Sequence, residues 1–175
     1  MENAVLKNLQ ERRSIRKYLP KQVDEEQLQA ILQAGMFAPT GRGLQSPVMI
    51  VVQDKEVREK LRKMNASVMG NPDMDPFYGA PTIIVVLADK TVSTCVEDGS
   101  LVMGNLMNAA HAVGVDSCYI FRAKEVFATE EGKEMLRSWG VPDHYEGVGN
   151  CILGYRDEGG VKPVSPRKEN YIIKV

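Results

Sequence analysis

Two islands of positive charge stand near opposite ends of this 175-residue chain, Arg12-Arg13-Ser14-Ile15-Arg16 and Arg167-Lys168. Guanidinium groups donate paired hydrogen bonds to phosphate oxygens, and the hydroxyl of Ser14 adds another donor. Folded together, the islands make one anion site; kept apart, they are solvated basic surfaces. A third segment, Ala38-Pro39-Thr40-Gly41-Arg42-Gly43-Leu44-Gln45, lies between a helical pattern and an apolar strand pattern. Its glycines allow close backbone approach, and Thr40 and Gln45 offer hydrogen bonds to a planar polar ring. The same residues also suit an ordinary connecting loop.

Other chemistries find less support. No Gly-x-Ser-x-Gly elbow occurs, and only His111 and His144 are available as imidazoles. His111 falls in an apolar helical stretch and reads as structural; His144 sits in a Pro-Asp-His-Tyr loop and reads as a surface residue. No Walker sequence and no G-x-G-x-x-G follows a strand pattern. No histidine–carboxylate spacing recurs on one face, so no metal site is expected. Cys95, Cys118 and Cys151 are odd in number, far apart and outside any CxxC, which reads as reduced thiols of a cytoplasmic protein, packed as small hydrophobes.

The elements that must position these residues read as one domain over residues 1–175. A hydrophobic fraction of 43%, a charged fraction of 26% and a net charge of -1 fit a globular chain, and argue against nucleic acid or anionic lipid as partner. No secretory leader is recognised, and the apolar stretch Leu101–Val113 is too short and too interrupted to span a bilayer. Val5, Leu6 and Leu9 predict a short helix, and Leu28, Ile31 and Leu32 a second, begun by Asp24 and stopped by Gly35. Val48–Val52 and Thr82–Leu87 are continuous apolar runs of strand length, of the kind covered on both faces, and Asp116–Phe121 and Val148–Tyr155 read as a third and a fourth strand. Asp54 caps a helix carrying Val57, Leu61 and Met64, and Asn65–Gly79 reads as a long loop or lid. Ser93–Val113 is apolar nearly all round, as a central or interface helix must be. Met135, Leu136 and Trp139 mark a helix ended by Gly140, and Tyr171–Val175 is a terminal strand pattern without an evident partner in this chain. Helices alternate with strands, giving an α/β or α+β class around one sheet.

In order, these motifs resemble the nitroreductase family of FMN oxidoreductases. Arg12–Arg16 looks like the family's opening motif, and Pro39-Thr40-Gly41-x-Gly43-x-Gln45 is similar to its Pro-Ser-x-x-Asn-x-Gln loop. Gly79-Ala80-Pro81 with TIIVVLAD, the helix from Asp98-Gly99 to Gly114, and Ile152-Leu153-Gly154-Tyr155 followed by Pro166-Arg167-Lys168 complete the match, from about Leu9 to Lys168. Three departures stand out: Gly43 for the family's Asn, Ser46-Pro47 for Pro-Trp, and Phe121-Arg122 where many members carry Glu-Gly.

The resemblance implies an α+β fold, a mixed central sheet flanked by helices, in an intertwined homodimer whose C-terminal strand joins the partner's sheet. It implies FMN held by Arg12, Arg13, Ser14, Arg16, Arg167 and Lys168 of one subunit. By the same resemblance, Pro39, Thr40, Gly41, Gly43 and Gln45 of the other would line the ring, and the backbone of Ile120, Phe121 and Arg122 would lie at flavin N5. Electrons would pass from NADH or NADPH through N5 to a nitroaromatic or quinone-like acceptor in ping-pong fashion. No side chain need act as an acid, and Arg16 and Arg122 are the nearest supporting groups. A flavin carrier or sensor, a relative with other reductive flavin chemistry, and a flavin-free interface module are the rival readings.

Overall fold

In the computed structural model, which describes residues 3–161 and 163–175, the elements follow one another as α1 (Ala4–Glu11), α2 (Glu25–Met36), β1 (Pro47–Val52), α3 (Lys55–Met69), β2 (Thr82–Asp89), α4 (Cys95–Ala112), β3 (Asp116–Ile120), α5 (Ala123–Ala128), α6 (Glu130–Ser138) and β4 (Tyr145–Gly154). The four strands form one sheet in the order β1-β2-β4-β3. Every pairing between them is antiparallel. The parallel component of the expected mixed sheet is a single bridge, Ser14 to Ser117, on the outer edge of β3.

The apolar run of β2 explains the layering. Successive side chains of a strand point to opposite faces. Ile83, Val85 and Leu87 enter one core with Leu61, Phe77, Phe127 and Leu136, under α3, α5 and α6. Ile84 and Val86 enter the other with Ile31, Met103, Leu106 and Leu153, under α2 and α4. Both faces are therefore covered, as a run with no polar alternation requires. All three cysteines are buried among these side chains. Burial, and then the neighbouring Cys118, push the Cys151 thiol up to about 12, so it packs as an inert apolar group.

Asp54 caps α3 as expected, its Oδ1 accepting from the N–H groups of Glu56 and Val57 at 3.0 and 2.9 Å. Other expectations are corrected. Gly35 lies inside α2 rather than ending it; a Cβ there would stand 2.8 Å from Met49 Sδ and 2.9 Å from Leu106 Cδ2, so the glycine lets α2 close onto the sheet and α4. Asp24 precedes α2 but turns its carboxylate to Lys21, 3.5 Å away, instead of capping. The segment expected as a loop from Asn65 is helical to Met69, and the left-handed Gly70 ends it. Helix α5, six residues between β3 and α6, has no counterpart in the sequence reading. Tyr171–Val175 forms no strand within the chain and is exposed. No helix among the described residues is long and apolar enough to cross a membrane.

Candidate functional site

The first basic island is laid along the outer edge of β3. Arg12 closes α1, and the chain then runs extended, with the Ile15 N–H donating to the Ser117 carbonyl at 3.0 Å and the Leu19 N–H to Tyr155 at 2.8 Å. Two anchors hold this path. Ile15 is fully buried, and Tyr18 is buried with its hydroxyl donating to the Ile15 carbonyl at 2.8 Å. Arg12, Ser14 and Arg16, on either side of Ile15, are thereby gathered around Cys118. Burial raises that thiol, while the charges of Arg16 and Arg12 and a hydrogen bond with Ser14 pull the other way. Arg13 faces elsewhere, its Nη1 donating to the carbonyls of Gln10 and Arg12 at 2.6 and 2.8 Å and so completing the end of α1.

Two buried polar atoms here lack a hydrogen-bond partner among the described residues: Arg12 Nη1 and Ser117 Oγ. Such atoms are rare because each bears a full desolvation cost, of about 1–3 kcal/mol and more when charged. Both belong to one stretch of sheet edge, bridged by Ser14 to Ser117. An anionic ligand with several oxygen acceptors fits that donor set.

The glycine loop is built at the start of β1 around a carboxylate. Asp98, in the first turn of α4, is 2% exposed. Its Oδ1 accepts from the Gly41 N–H at 2.8 Å; its Oδ2 accepts from Ser46 Oγ at 2.8 Å and from Thr94 Oγ1 at 3.2 Å. Thr40 Oγ1 accepts from the Gln45 N–H at 3.0 Å, folding the loop on itself. A side chain on Gly41 would overlap Thr94. Gly43 has φ +71° with open space around it, a conformation that Asn also tolerates, so the departure from the family's Asn preserves the backbone. A cavity of about 200 Å³ opens beside the loop, lined by Met36, Ala38, Thr40, Gln45, Met49 and Val102 among others. Pro39, in the same loop, is exposed.

At the far end of β3, Ile120 turns its side chain into the core, whereas Phe121 is exposed and Arg122 half-buried. Arg122 has φ 80° and ψ 10°, a left-handed backbone that costs a residue other than glycine about 1–2 kcal/mol. Asn65, 1% exposed, holds this turn: its Nδ2 donates to the Phe121 carbonyl at 3.1 Å, and its Oδ1 accepts from Arg122 Nε at 3.1 Å. Sequence reasoning missed both Asn65 and Asp98 as site residues. The available signal for Asn65 was its spacing, four residues after Leu61 and so on the buried face of α3.

The remaining groups are spread over the chain. Arg167 and Lys168 lie on the exposed tail, where Lys168 Nζ stands 5.4 Å from the centroid of the Tyr171 ring. The Arg12–Arg16 segment borders β3 and the glycine loop enters β1, the two edges of the sheet. Three strand spacings of about 4.8 Å separate those edges by roughly 14 Å. Among the described residues no group of three or more His, Cys, Asp or Glu is arranged to hold a metal ion.

Comparison with known proteins gives a consistent answer. Residues 9–155 match the model of the nitroreductase family. An FMN reductase (NAD(P)H) of Bacillus subtilis is 37% identical, over 95% of this chain and 72% of that protein. A crystal structure of a nitroreductase with bound FMN from Bacteroides fragilis superposes with a TM-score of 0.91 at 27% identity, covering 99% of this chain and 100% of that one. Another with bound FMN, from Desulfitobacterium hafniense, gives 0.88 at 28% identity and covers both chains fully, 100% of each.

Proposed function

The chain belongs to the nitroreductase family, and on that premise we propose that it is an FMN-dependent oxidoreductase that carries electrons from NADH or NADPH to a nitroaromatic or quinone-like acceptor, acting as a homodimer. The observation that carries this reading is the pair of unpartnered buried atoms, Arg12 Nη1 and Ser117 Oγ, gathered with Ser14 and Arg16 on one sheet edge. It is supported by the FMN found in the two similar crystal structures.

When bound, FMN supplies the redox chemistry, accepting two electrons from the nicotinamide and returning them to the acceptor. The residues of the chain do the rest. Arg12 and Ser14 hold phosphate oxygens, for which a planar guanidinium is well matched. Arg16 provides the positive charge that favours a negative charge developing at the ring edge. Asn65 fixes the Phe121-Arg122 backbone at the far end of β3, so the turn that meets the ring is rigid before ligand arrives. Thr40 and Gln45 furnish polar contacts from a loop whose shape Asp98 sets.

Because the two halves of this site lie at opposite sheet edges, one chain alone leaves it divided. A second copy resolves that, bringing Pro39, Thr40, Gly41, Gly43 and Gln45 to the partner's Arg12–Arg16 segment. The surface is apolar where such a partner would sit: Met36 and Phe37 are 74% and 77% exposed, and Leu44, Val96 and Leu101 about half. Arg167 and Lys168 reach the phosphate only if the exposed tail closes over it in that assembly.

Donor and acceptor occupy the same place in turn. NAD(P)H and one proton together provide the two electrons and two protons that convert a quinone to its hydroquinone. Initial rates measured with NADPH varied at several fixed menadione concentrations are expected to give parallel double-reciprocal lines. Lines that intersect would mean that both substrates bind together, contradicting a shared place.

A further inference from the structure

Arg122 occupies a backbone conformation that favours glycine, φ 80° and ψ 10°. Bulky residues persist in such a state when their surroundings fix them, and they cluster where the side chain has a task. The surroundings here are on view. Asn65 is almost wholly buried and grips both the carbonyl of Phe121 and the Nε of Arg122. That grip uses only the inner N–H of the guanidinium. Nη1 and Nη2 make no hydrogen bond or ion pair among the described residues, and Arg122 as a whole is half-buried. The adjacent Lys124 does not compete, since its Nζ is paired with Glu146 at 3.2 Å. Phe121, just before, presents 63% of its surface to solvent.

A guanidinium immobilised through Nε points a two-pronged end, Nη1–H and Nη2–H, in one direction. That is the shape of a carboxylate, and one positive charge suits a monoanion better than a phosphate dianion. An exposed phenyl ring beside it offers an aromatic face. We propose that Arg122 is a specificity-determining residue that selects acceptors bearing an aromatic carboxylate, its free guanidinium end binding the carboxylate while Phe121 covers the ring. This rests on the reading that the end of β3 borders the flavin ring. The grip itself is a property of Asn65, Phe121 and Arg122 and is measurable without turnover.

Isothermal titration calorimetry of the FMN-loaded protein with benzoate and with benzamide tests it. The wild type is expected to bind benzoate at least about tenfold more tightly than benzamide, and Arg122→Gln to bring the ratio of the two affinities near one. Arg122→Gly, which relieves the backbone, serves as a second variant should the glutamine protein fold poorly; FMN content and melting temperature are measured for both. Equal binding of benzoate and benzamide by the wild type would overturn the proposal. So would a ratio that survives both substitutions, or a substitution that alters only the preference between NADPH and NADH, which would assign Arg122 to the phosphate of the donor. With turnover, the ratio of kcat/KM for 4-nitrobenzoate over 4-nitrobenzamide falls in the same variants. A protein that binds benzoate through Arg122 yet passes electrons from NADH or NADPH to neither a nitro compound nor a quinone would keep the carboxylate site at Arg122 and remove the oxidoreductase reading on which its role as an acceptor selector rests.

Discussion

Arg12→Ala is expected to weaken FMN binding about a hundredfold, the equivalent of one or two charge-assisted hydrogen bonds, while the protein keeps its fold. The reason lies in the unliganded site. Arg12 Nη1 is buried without an acceptor, so the site bears the cost of desolvating that charge before any ligand arrives. A phosphate recovers it, and alanine forfeits that recovery. The same logic fixes the sign of the effect on the flavin-free protein, whose melting temperature stays level or rises because an unsatisfied group has been removed. Arg12→Lys keeps the charge but loses the fork and falls between the two. Equilibrium dialysis or fluorescence titration with FMN measures the loss. Arg167→Ala is expected to weaken binding less, because the exposed tail has to close before it reaches the phosphate. Unaltered FMN affinity in Arg12→Ala would remove the phosphate assignment.

The second large effect belongs to Asp98. Replacement by alanine deprives the Gly41 N–H, the Ser46 hydroxyl and the Thr94 hydroxyl of one shared acceptor. Ser46 is itself buried, so its donor has no water to turn to. Stranding the buried Ser46 donor costs about 1–3 kcal/mol, the two part-buried donors add less, and a total of about 3 kcal/mol lowers the melting temperature of a chain this size by roughly 10 °C. FMN retention falls with it, since the loop from Thr40 to Ser46 loses its fixed shape. Thr94→Val, which deletes the longest of the three bonds, is expected to cost under about 1 kcal/mol and to leave retention near that of the wild type. Differential scanning calorimetry separates the two. An Asp98→Ala protein as stable as the parent would show that the loop holds its shape without the carboxylate.

These two residues also mark what the sequence made legible and what it did not. Arg12, Ser14 and Arg16 stood out as a basic run with a hydroxyl, a pattern that equally suits a solvated face; only the family resemblance favoured phosphate over that, and the fold lays them along one sheet edge. The strands were readable because uninterrupted runs such as Thr82–Leu87 need cover on both faces, which the two cores supply. Asp98 was seen only as part of a helix start. Its task depends on Gly41 and Ser46, more than fifty residues earlier, and local pattern carries no trace of that contact. Asn65 was lost with the misplaced end of α3: a glycine- and proline-containing stretch follows it, and the stop at Gly70 outweighed the helical spacing of Leu61, Met64 and Asn65. Helix α5, at six residues, is too short to show a period. Gly35 illustrates the converse error, because a glycine needed for close packing looks the same in sequence as one that ends a helix. The meeting of Arg167-Lys168 with the first island was an expectation of the resemblance, and among the described residues no hydrogen bond or ion pair ties either residue to that edge.

On this reading the Arg12–Arg16 edge holds a flavin that NADH or NADPH reduces. The most direct test is the visible absorption spectrum of the purified protein, supplemented with FMN, before and after anaerobic addition of each nicotinamide. A visible bound-flavin band, about one flavin per chain, is expected to bleach with at least one of the two donors and to return when a quinone is added. A band that persists after both donors would contradict the oxidoreductase reading and leave a flavin carrier; no bound flavin at all would contradict the site itself.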